Sequence, residues 1–171
     1  MDSYSEHLIK MRKDSKAIAV LIFLWVAMIG ISVISFIKIS APLSIVLIAA
    51  AIYGGVYLTG LLNVEYEYIV TNGEIDVDMI TSKKSRKRLI SFKCKDIDRI
   101  ERYTPGCAMY EKGEYSKKSI YCNASDEDVY CVSFKHSGIG KVCLVMQIPE
   151  KMQECMRPFL DKLIAREAFN K

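Results

Sequence analysis

The stretch Val64–Ile80, VEYEYIVTNGEIDVDMI, decides the fold of the soluble part of the chain. Apolar and acidic side chains alternate on both sides of Asn72-Gly73, as they do in strands with one buried face and one wet face. An Asn-Gly pair between two such strands is the strongest short hairpin signal, because both turn residues tolerate positive φ. The stretch therefore predicts an antiparallel β-hairpin with a two-residue turn.

Five more short strands are predicted after this hairpin, each bounded by turn residues. They are Leu89–Lys93, Ile97–Tyr103, Ser119–Asn123, Asp128–Phe134 and Lys141–Ile148. Seven short strands with brief connections favour a sandwich or small barrel over alternating strand–helix units. From Met152 to Ile164 the apolar residues recur at helical spacing, which predicts one amphipathic helix with a kink or break at Pro158.

Two long uncharged stretches precede the hairpin. Residues 17–37 and 41–62 carry no charged side chain, and each is long enough for a helix to cross a bilayer. Only residues 38–40 separate them, so we expect an antiparallel transmembrane hairpin. A cleaved signal peptide fits poorly, because the first stretch exceeds a signal-peptide core and a second span follows at once. The predicted divisions are thus a cytosolic tail over 1–16, the two spans, and a cytosolic domain over 63–171.

Charge and cysteine usage indicate that the soluble domain is cytosolic. Lys10, Arg12, Lys13 and Lys16 precede the first span, whereas the loop between the spans holds Lys38 alone. Because the side richer in Lys and Arg stays cytoplasmic, both termini are expected there. The six cysteines show no paired metal-ligand spacing and no neighbouring His. We therefore expect small buried apolar residues in a reducing compartment rather than a zinc site.

The order of these elements resembles a known family. A two-helix hairpin, the stretch YEYIVTNGEIDVDMI, a basic segment and a closing helix are similar to small bacterial membrane proteins with a pleckstrin-homology-like (PH-like) domain. The resemblance covers nearly the whole chain. It implies an α+β membrane protein, in which a transmembrane hairpin precedes a seven-stranded, partly open β-barrel capped by a C-terminal amphipathic helix. It implies a multi-pass protein of the bacterial inner membrane, and it implies no reaction.

The segment Thr81–Arg88, TSKKSRKR, carries five positive charges, on Lys83, Lys84, Arg86, Lys87 and Arg88. The first hairpin strand leaves the bilayer and the second returns, so this segment is expected at the membrane surface. There it contacts anionic headgroups, at about 1 kcal/mol per basic residue, or it is a solvated loop. A specific phosphate or nucleic-acid site is disfavoured, because acidic and basic residues nearly balance in the soluble part. The loop that binds phosphoinositides in some PH domains corresponds here to the tight Asn72-Gly73 turn, which has no basic residue.

The segment Tyr103–Lys118 is the longest irregular stretch in this prediction, and long loops often carry function. It is the candidate partner-binding loop, with a plain surface loop as the alternative. The residues proposed for contact are Tyr103, Tyr110, Tyr115, Lys117 and Lys118. A partner is expected to be a protein or peptide laid against the barrel, for example by strand addition, or a second copy of the chain in a homo-oligomer.

No catalytic, cofactor-binding or metal-binding set is legible in the sequence. His7 lies in the tail and His136 in a turn, so neither has a positioned carboxylate for a relay. Asp76 and Asp78 share one strand face, which is more typical of the wet side of a strand than of a cation site. We predict a non-enzymatic membrane protein whose PH-like domain docks or regulates at the inner membrane surface, through anionic headgroups or a protein partner. The alternative is an accessory subunit of a membrane complex, bound through the transmembrane hairpin. Nucleic acid is not an expected partner.

Overall fold

A computed structural model describes most of the chain, namely residues 3–13, 15–38, 41–123 and 126–169. The other positions of the predicted tail, inter-span loop and soluble domain lie outside the described residues. The chain divides into two compact units. The helical unit comprises residues 12–64 and 81–85, and the sheet unit comprises residues 1–11, 65–80 and 86–171.

The helical unit contains two long apolar helices, α1 (Ser15–Lys38) and α2 (Ala41–Leu61). Both are long and apolar enough to cross a membrane. None of the apolar stretch of α1 is buried, and only 11% of that of α2 is buried, so neither helix is packed as a core helix within the described residues. Large side chains such as Phe23 and Ile45 are exposed along them, a surface suited to lipid rather than water. The helices approach closely at Gly55, where an added Cβ would collide with Met28.

The first sheet of the sheet unit contains the predicted hairpin. In spatial order its strands are β1 (Tyr4–Lys10), β2 (Val64–Thr71), β3 (Glu74–Thr81) and β4 (Ser85–Lys93). Asn72 and Gly73, between β2 and β3, have φ of 48° and 82°. Both values lie in the left-handed region, which confirms the predicted two-residue turn.

Strand β1 corrects the prediction of an N-terminal tail over residues 1–16. It pairs antiparallel with β2 along its whole length, from Tyr4 opposite Thr71 to Lys10 opposite Glu65. Ile9 of β1 is buried in the core. The sequence YSEHLIK is short and has few apolar residues, so its alternation is too weak to predict a strand. Along the chain, the two apolar helices therefore lie between β1 and β2, which are neighbouring strands of one sheet.

The second sheet is built from the remaining strands. In spatial order they are β5 (Ile97–Arg102), β7 (Val129–His136), β8 (Gly140–Gln147) and β6 (Lys117–Ile120). β7 pairs antiparallel with β5 and β8, whereas β6 runs parallel to β8. The described residues thus form eight strands where seven were predicted. No ladder joins the edge strands of the two sheets within these residues, so the sheets are not closed into the predicted barrel.

The hydrophobic core lies between the two sheets. Phe92 of β4 and Phe134 of β7 are both buried and stack with ring centroids 3.9 Å apart. On the opposite face of β7 and β8, Ser133 and Cys143 lie beside Tyr115. β7 and β8 are therefore buried on both faces, which explains why their sequences do not alternate between apolar and polar residues.

The C-terminal segment is broken near Pro158, as the sequence predicted. α4 (Glu150–Met156) gives way to a 3-10 turn over Arg157–Phe159, and α5 (Lys162–Phe169) follows. The break falls at Pro158, because proline lacks the amide that continues a helix. α4 packs against β1 and α5 against β5, so the predicted single cap is replaced by two short helices.

Candidate functional site

The basic segment divides into a turn and a strand. Ser82 and Lys83 have φ of 56° and 57°, and the amide of Lys84 donates to the carbonyl of Thr81 at 3.1 Å. These residues form the tight turn between β3 and β4. Residues 85–88 continue as strand β4 rather than as the predicted loop. Lys83 and Lys84 therefore lie in the turn, whereas Arg86, Lys87 and Arg88 lie in the strand.

Arg86 and Arg88 are paired with acidic residues of their own sheet. Arg88 donates from Nε to Asp78 Oδ1 at 3.0 Å, and its Nη1 lies 2.9 Å from Asp76 Oδ2. Arg86 pairs with Glu67, and its Nε lies 3.5 Å from Asp78 Oδ2. The side chains of Glu67 and Asp78 are only 4% and 3% exposed. The hydrogen bond to Asp78 raises the pKa of the Arg88 guanidinium above its ordinary value. Both arginines neutralise buried carboxylates.

The three lysines of the segment are in a different position. Lys83, Lys84 and Lys87 are exposed. None of them forms an ion pair with a residue that the structure describes. The predicted headgroup contact therefore narrows from five basic residues to these three, and it stays a prediction.

The turn that carries Lys83 and Lys84 is held against the end of α2. The amide of Ser82 donates to the carbonyl of Asn63 at 2.8 Å, and the amide of Asn63 donates to the carbonyl of Gly60 at 2.9 Å. Gly60 permits this approach, because an added Cβ would lie 2.8 Å from Ser82 Oγ. Two lysines that form no ion pair with any described residue therefore lie beside the end of an apolar helix.

We expect Arg88→Gln to lower the free energy of unfolding by about 1–3 kcal/mol, because the buried Asp78 carboxylate loses its closest donor. Lys87→Gln is the matched control, since Lys87 is the adjacent residue and forms no ion pair among the described side chains. It should change the same quantity by less than about 0.5 kcal/mol. Urea unfolding of the full chain in mild detergent, followed by tyrosine near-ultraviolet circular dichroism, makes the comparison. Equal effects of the two variants would contradict the buried ion-pair assignment.

The predicted partner loop contains the short helix α3 (Ala108–Lys112) and leads into β6. Tyr103 and Tyr110 meet edge to face with ring centroids 6.1 Å apart. Lys118 Nζ lies 5.8 Å from the ring centroid of Tyr110 and 5.6 Å from that of Tyr115. These distances indicate cation–π contacts. The structure thus brings four of the five predicted contact residues into one group, which we call the tyrosine cluster.

Lys141 joins the tyrosine cluster, and sequence reasoning missed it. Its Nζ lies 5.2 Å from the ring centroid of Tyr115. The only signal that could have found it is the parallel pairing of β6 with β8, which is not legible from local sequence. Lys117, the fifth predicted residue, is half-buried and makes none of the ring contacts found in the described part of the chain.

The tyrosine cluster also serves the packing of the second sheet. All three tyrosines are partly buried against the core, and this burial raises the pKa of each phenol. Much of their aromatic surface is therefore used within the domain. Partner binding by this cluster stays a prediction.

The cysteines are packed as small apolar residues, as the sequence predicted. Five are buried and Cys155 is half-buried. Burial raises the pKa of Cys94 and Cys122 to about 12, so both are protonated thiols at neutral pH. A hydrogen bond with Cys143, 3.0 Å away between sulfur atoms, together with burial raises the pKa of Cys131. Within the described ranges, no three His, Cys, Asp or Glu side chains are grouped as a metal site would require.

Residues 1–166 match the sequence family described as a bacterial PH-like domain (DUF6106). The chain belongs to this PH-like family. The match begins ahead of β1 and runs through both apolar helices and both sheets into α5, which confirms the resemblance seen in the sequence. No curated protein and no solved structure matches this PH-like chain. PH-like domains are generally non-catalytic, and two possible membrane helices are compatible with a membrane-anchored domain.

Proposed function

We propose that this PH-like protein is a non-enzymatic domain anchored at the cytoplasmic surface of the bacterial inner membrane, where it contacts anionic headgroups. The observation that carries the proposal is the position of α1 and α2 along the chain, between the paired strands β1 and β2. Lys10 and Glu65 are opposed in one antiparallel ladder. This pairing supports a topology in which both ends of the helical hairpin lie on one side of the bilayer. The helices then anchor the sheet unit without carrying it across.

The distribution of basic residues supports the cytoplasmic side. Lysine and arginine near the ends of spans favour that side. Those that precede or enter α1 are Lys10, Arg12, Lys13 and Lys16. Lys83 and Lys84 add to the same side, because their turn is bonded to the end of α2. Lys38 lies alone at the opposite end of the hairpin.

Three exposed lysines, two in the turn and one in the strand that follows it, are the proposed headgroup contacts. Lys83 and Lys84 are exposed beside the end of α2, and Lys87 is exposed on the strand that follows. Each contributes about 1 kcal/mol near an anionic leaflet. Two helices already hold the protein in the membrane, so the effect of these charges is to orient the domain rather than to recruit it. Arg86 and Arg88 contribute less, because their charge faces buried carboxylates.

Lysine reactivity in lipid nanodiscs tests this proposal. The full chain is placed in discs of neutral phosphatidylcholine or of phosphatidylcholine with phosphatidylglycerol, and acetylation by an activated ester is followed by mass spectrometry. We expect Lys83 and Lys84 to react about fivefold more slowly on anionic discs, and high salt to remove the difference. Lys162, exposed on α5, is the internal control. Equal rates for Lys83 and Lys84 on both discs would reject headgroup contact.

A second candidate function is that of an accessory subunit bound through the helices. The observation that favours it is the large exposed apolar surface of α1 and α2, which another membrane helix could cover as well as lipid. Co-purification in mild detergent separates the candidates. A partner retained by a chain with residues 11–64 replaced by Asn-Gly binds the sheet unit, for which the tyrosine cluster is the proposed surface. A partner lost with those residues binds the helices.

A further inference from the structure

A cavity of about 590 Å³ opens in the helical unit. It lies among Trp25 of α1, the C-terminal part of α2 and the turn between β3 and β4. All of its lining residues belong to the helical unit. The volume falls within the range of about 300–1,000 Å³ that is usual for small-molecule sites.

The two ends of the cavity differ in polarity. Trp25, Tyr53 and Val56 form an apolar end, and the turn residues Ser82 and Lys84 form a polar end. The lining part of α2 runs from residue 53 to residue 61, which is about 12 Å at 1.5 Å per residue. The cavity therefore extends along the helix from the polar turn into the apolar part. An amphiphile with a polar head and an apolar chain matches this division.

The polar end offers hydrogen-bond donors. Ser82, on the turn, contributes a hydroxyl to this end. Lys84 supplies a positive charge that no carboxylate in the described part of the chain neutralises. A hydroxyl donor and a cation together suit an anionic oxygen such as that of a phosphate.

We infer that the cavity binds one anionic phospholipid from the surrounding bilayer. Its phosphate lies at Lys84 and the hydroxyl of Ser82, and one acyl chain lies along the apolar end. A purely apolar occupant, such as a helix of another protein, would leave Lys84 unmatched. The inference rests on the proposed membrane location and goes beyond it. Lys83 and Lys87 act on headgroups in general, whereas Lys84 belongs to a defined site.

Trp25 is the probe for this site, because it lines the cavity and is the only tryptophan of the chain. The full chain is reconstituted in phosphatidylcholine nanodiscs that contain brominated phosphatidylglycerol or, at the same low mole fraction, brominated phosphatidylcholine. Bromine quenches tryptophan fluorescence on contact. We expect the anionic lipid to associate at Trp25 about fivefold more strongly than the neutral lipid, from one lysine–phosphate contact.

Variants separate the cavity from general headgroup attraction. Lys84→Gln should abolish the preference for the anionic lipid, whereas Lys83→Gln and Lys87→Gln, which change residues outside the cavity, should keep it. Val56→Phe fills the apolar end without changing any charge, and it should also reduce the preference. Added glycerol 3-phosphate should not displace the brominated phosphatidylglycerol.

Three outcomes would overturn the inference. If the three lysine variants lose the preference for the anionic lipid equally, only a general attraction to headgroups remains. The proposed function would then stand, but without a defined lipid site. Displacement by glycerol 3-phosphate would indicate a soluble phosphate ligand instead of a lipid. Equal quenching of the wild-type chain by both brominated lipids would indicate that the cavity does not select an anionic lipid, and the acetylation experiment would still test the surface contact separately.

Discussion

A chain in which residues 11–64 are replaced by Asn-Gly is expected to fold as a water-soluble PH-like domain. Lys10 and Glu65 are opposed in the antiparallel ladder of β1 and β2, and a two-residue turn closes such a pair. Among the described residues, all the buried apolar residues of the core belong to the sheet unit. The apolar helices can therefore be removed without opening that core.

The matched comparison is a chain that begins at residue 63 and so lacks β1. We expect it to be less stable than the Asn-Gly chain by about 3 kcal/mol or more. It loses the burial of Ile9, about 1.5–3 kcal/mol for one such side chain, and the pairing of β1 with β2. It also leaves β2 as an unpaired edge, which favours aggregation.

Urea unfolding of the two soluble chains measures the difference directly. In the Asn-Gly chain, Ile9→Ala should cost about 2–5 kcal/mol, and Leu8→Ala, at the exposed neighbouring position, less than about 0.5 kcal/mol. If the chain that begins at residue 63 is as stable as the Asn-Gly chain, β1 is not part of the folded domain.

Phe134→Ala is expected to lower the free energy of unfolding by about 3–5 kcal/mol. Phe134 is fully buried and stacks on Phe92, so it joins the two sheets across the core. Truncation removes that contact and leaves a cavity that the surrounding β-strands fill only in part. The measurement is urea unfolding of the full chain in mild detergent.

Leu163→Ala is the control for this substitution, because Leu163 is a large apolar residue that is 71% exposed on α5. It should change the free energy of unfolding by less than about 0.5 kcal/mol. A cost below about 1 kcal/mol for Phe134→Ala would show that the stacked pair does not hold the sheets together.

The parts of the fold that were predicted correctly have strong local signals. The Asn72-Gly73 turn follows from two adjacent residues and the alternation around them, and each apolar helix follows from more than 20 consecutive uncharged residues. β1 has no comparable local signal. Its partner β2 is more than 50 residues away along the chain, so only the completed sheet identifies it.

The candidate site was harder to predict because its contacts join separate strands. Glu67 lies in β2, Asp78 in β3 and Arg88 in β4, so their association depends on which strands are neighbours. The acidic residues of the hairpin were expected on a wet face. Instead, the arginines of the basic segment cover them, which removes two of the five charges from the predicted membrane contact. Lys141 was missed for the same reason, since it is not distinctive without its spatial neighbours.

The insertion of the helical hairpin between β1 and β2 also has a consequence for biosynthesis. β1 leaves the ribosome first, and β2 follows only after 53 intervening residues, a delay of about 3–10 s at 5–20 residues per second. Throughout that interval β1 has no partner. In the proposed membrane topology, insertion of only one helix would leave the two strands in different compartments and the first sheet incomplete. We therefore expect chains with one helix inserted to leave Ile9 unburied and to be removed by the proteases that degrade unfolded domains.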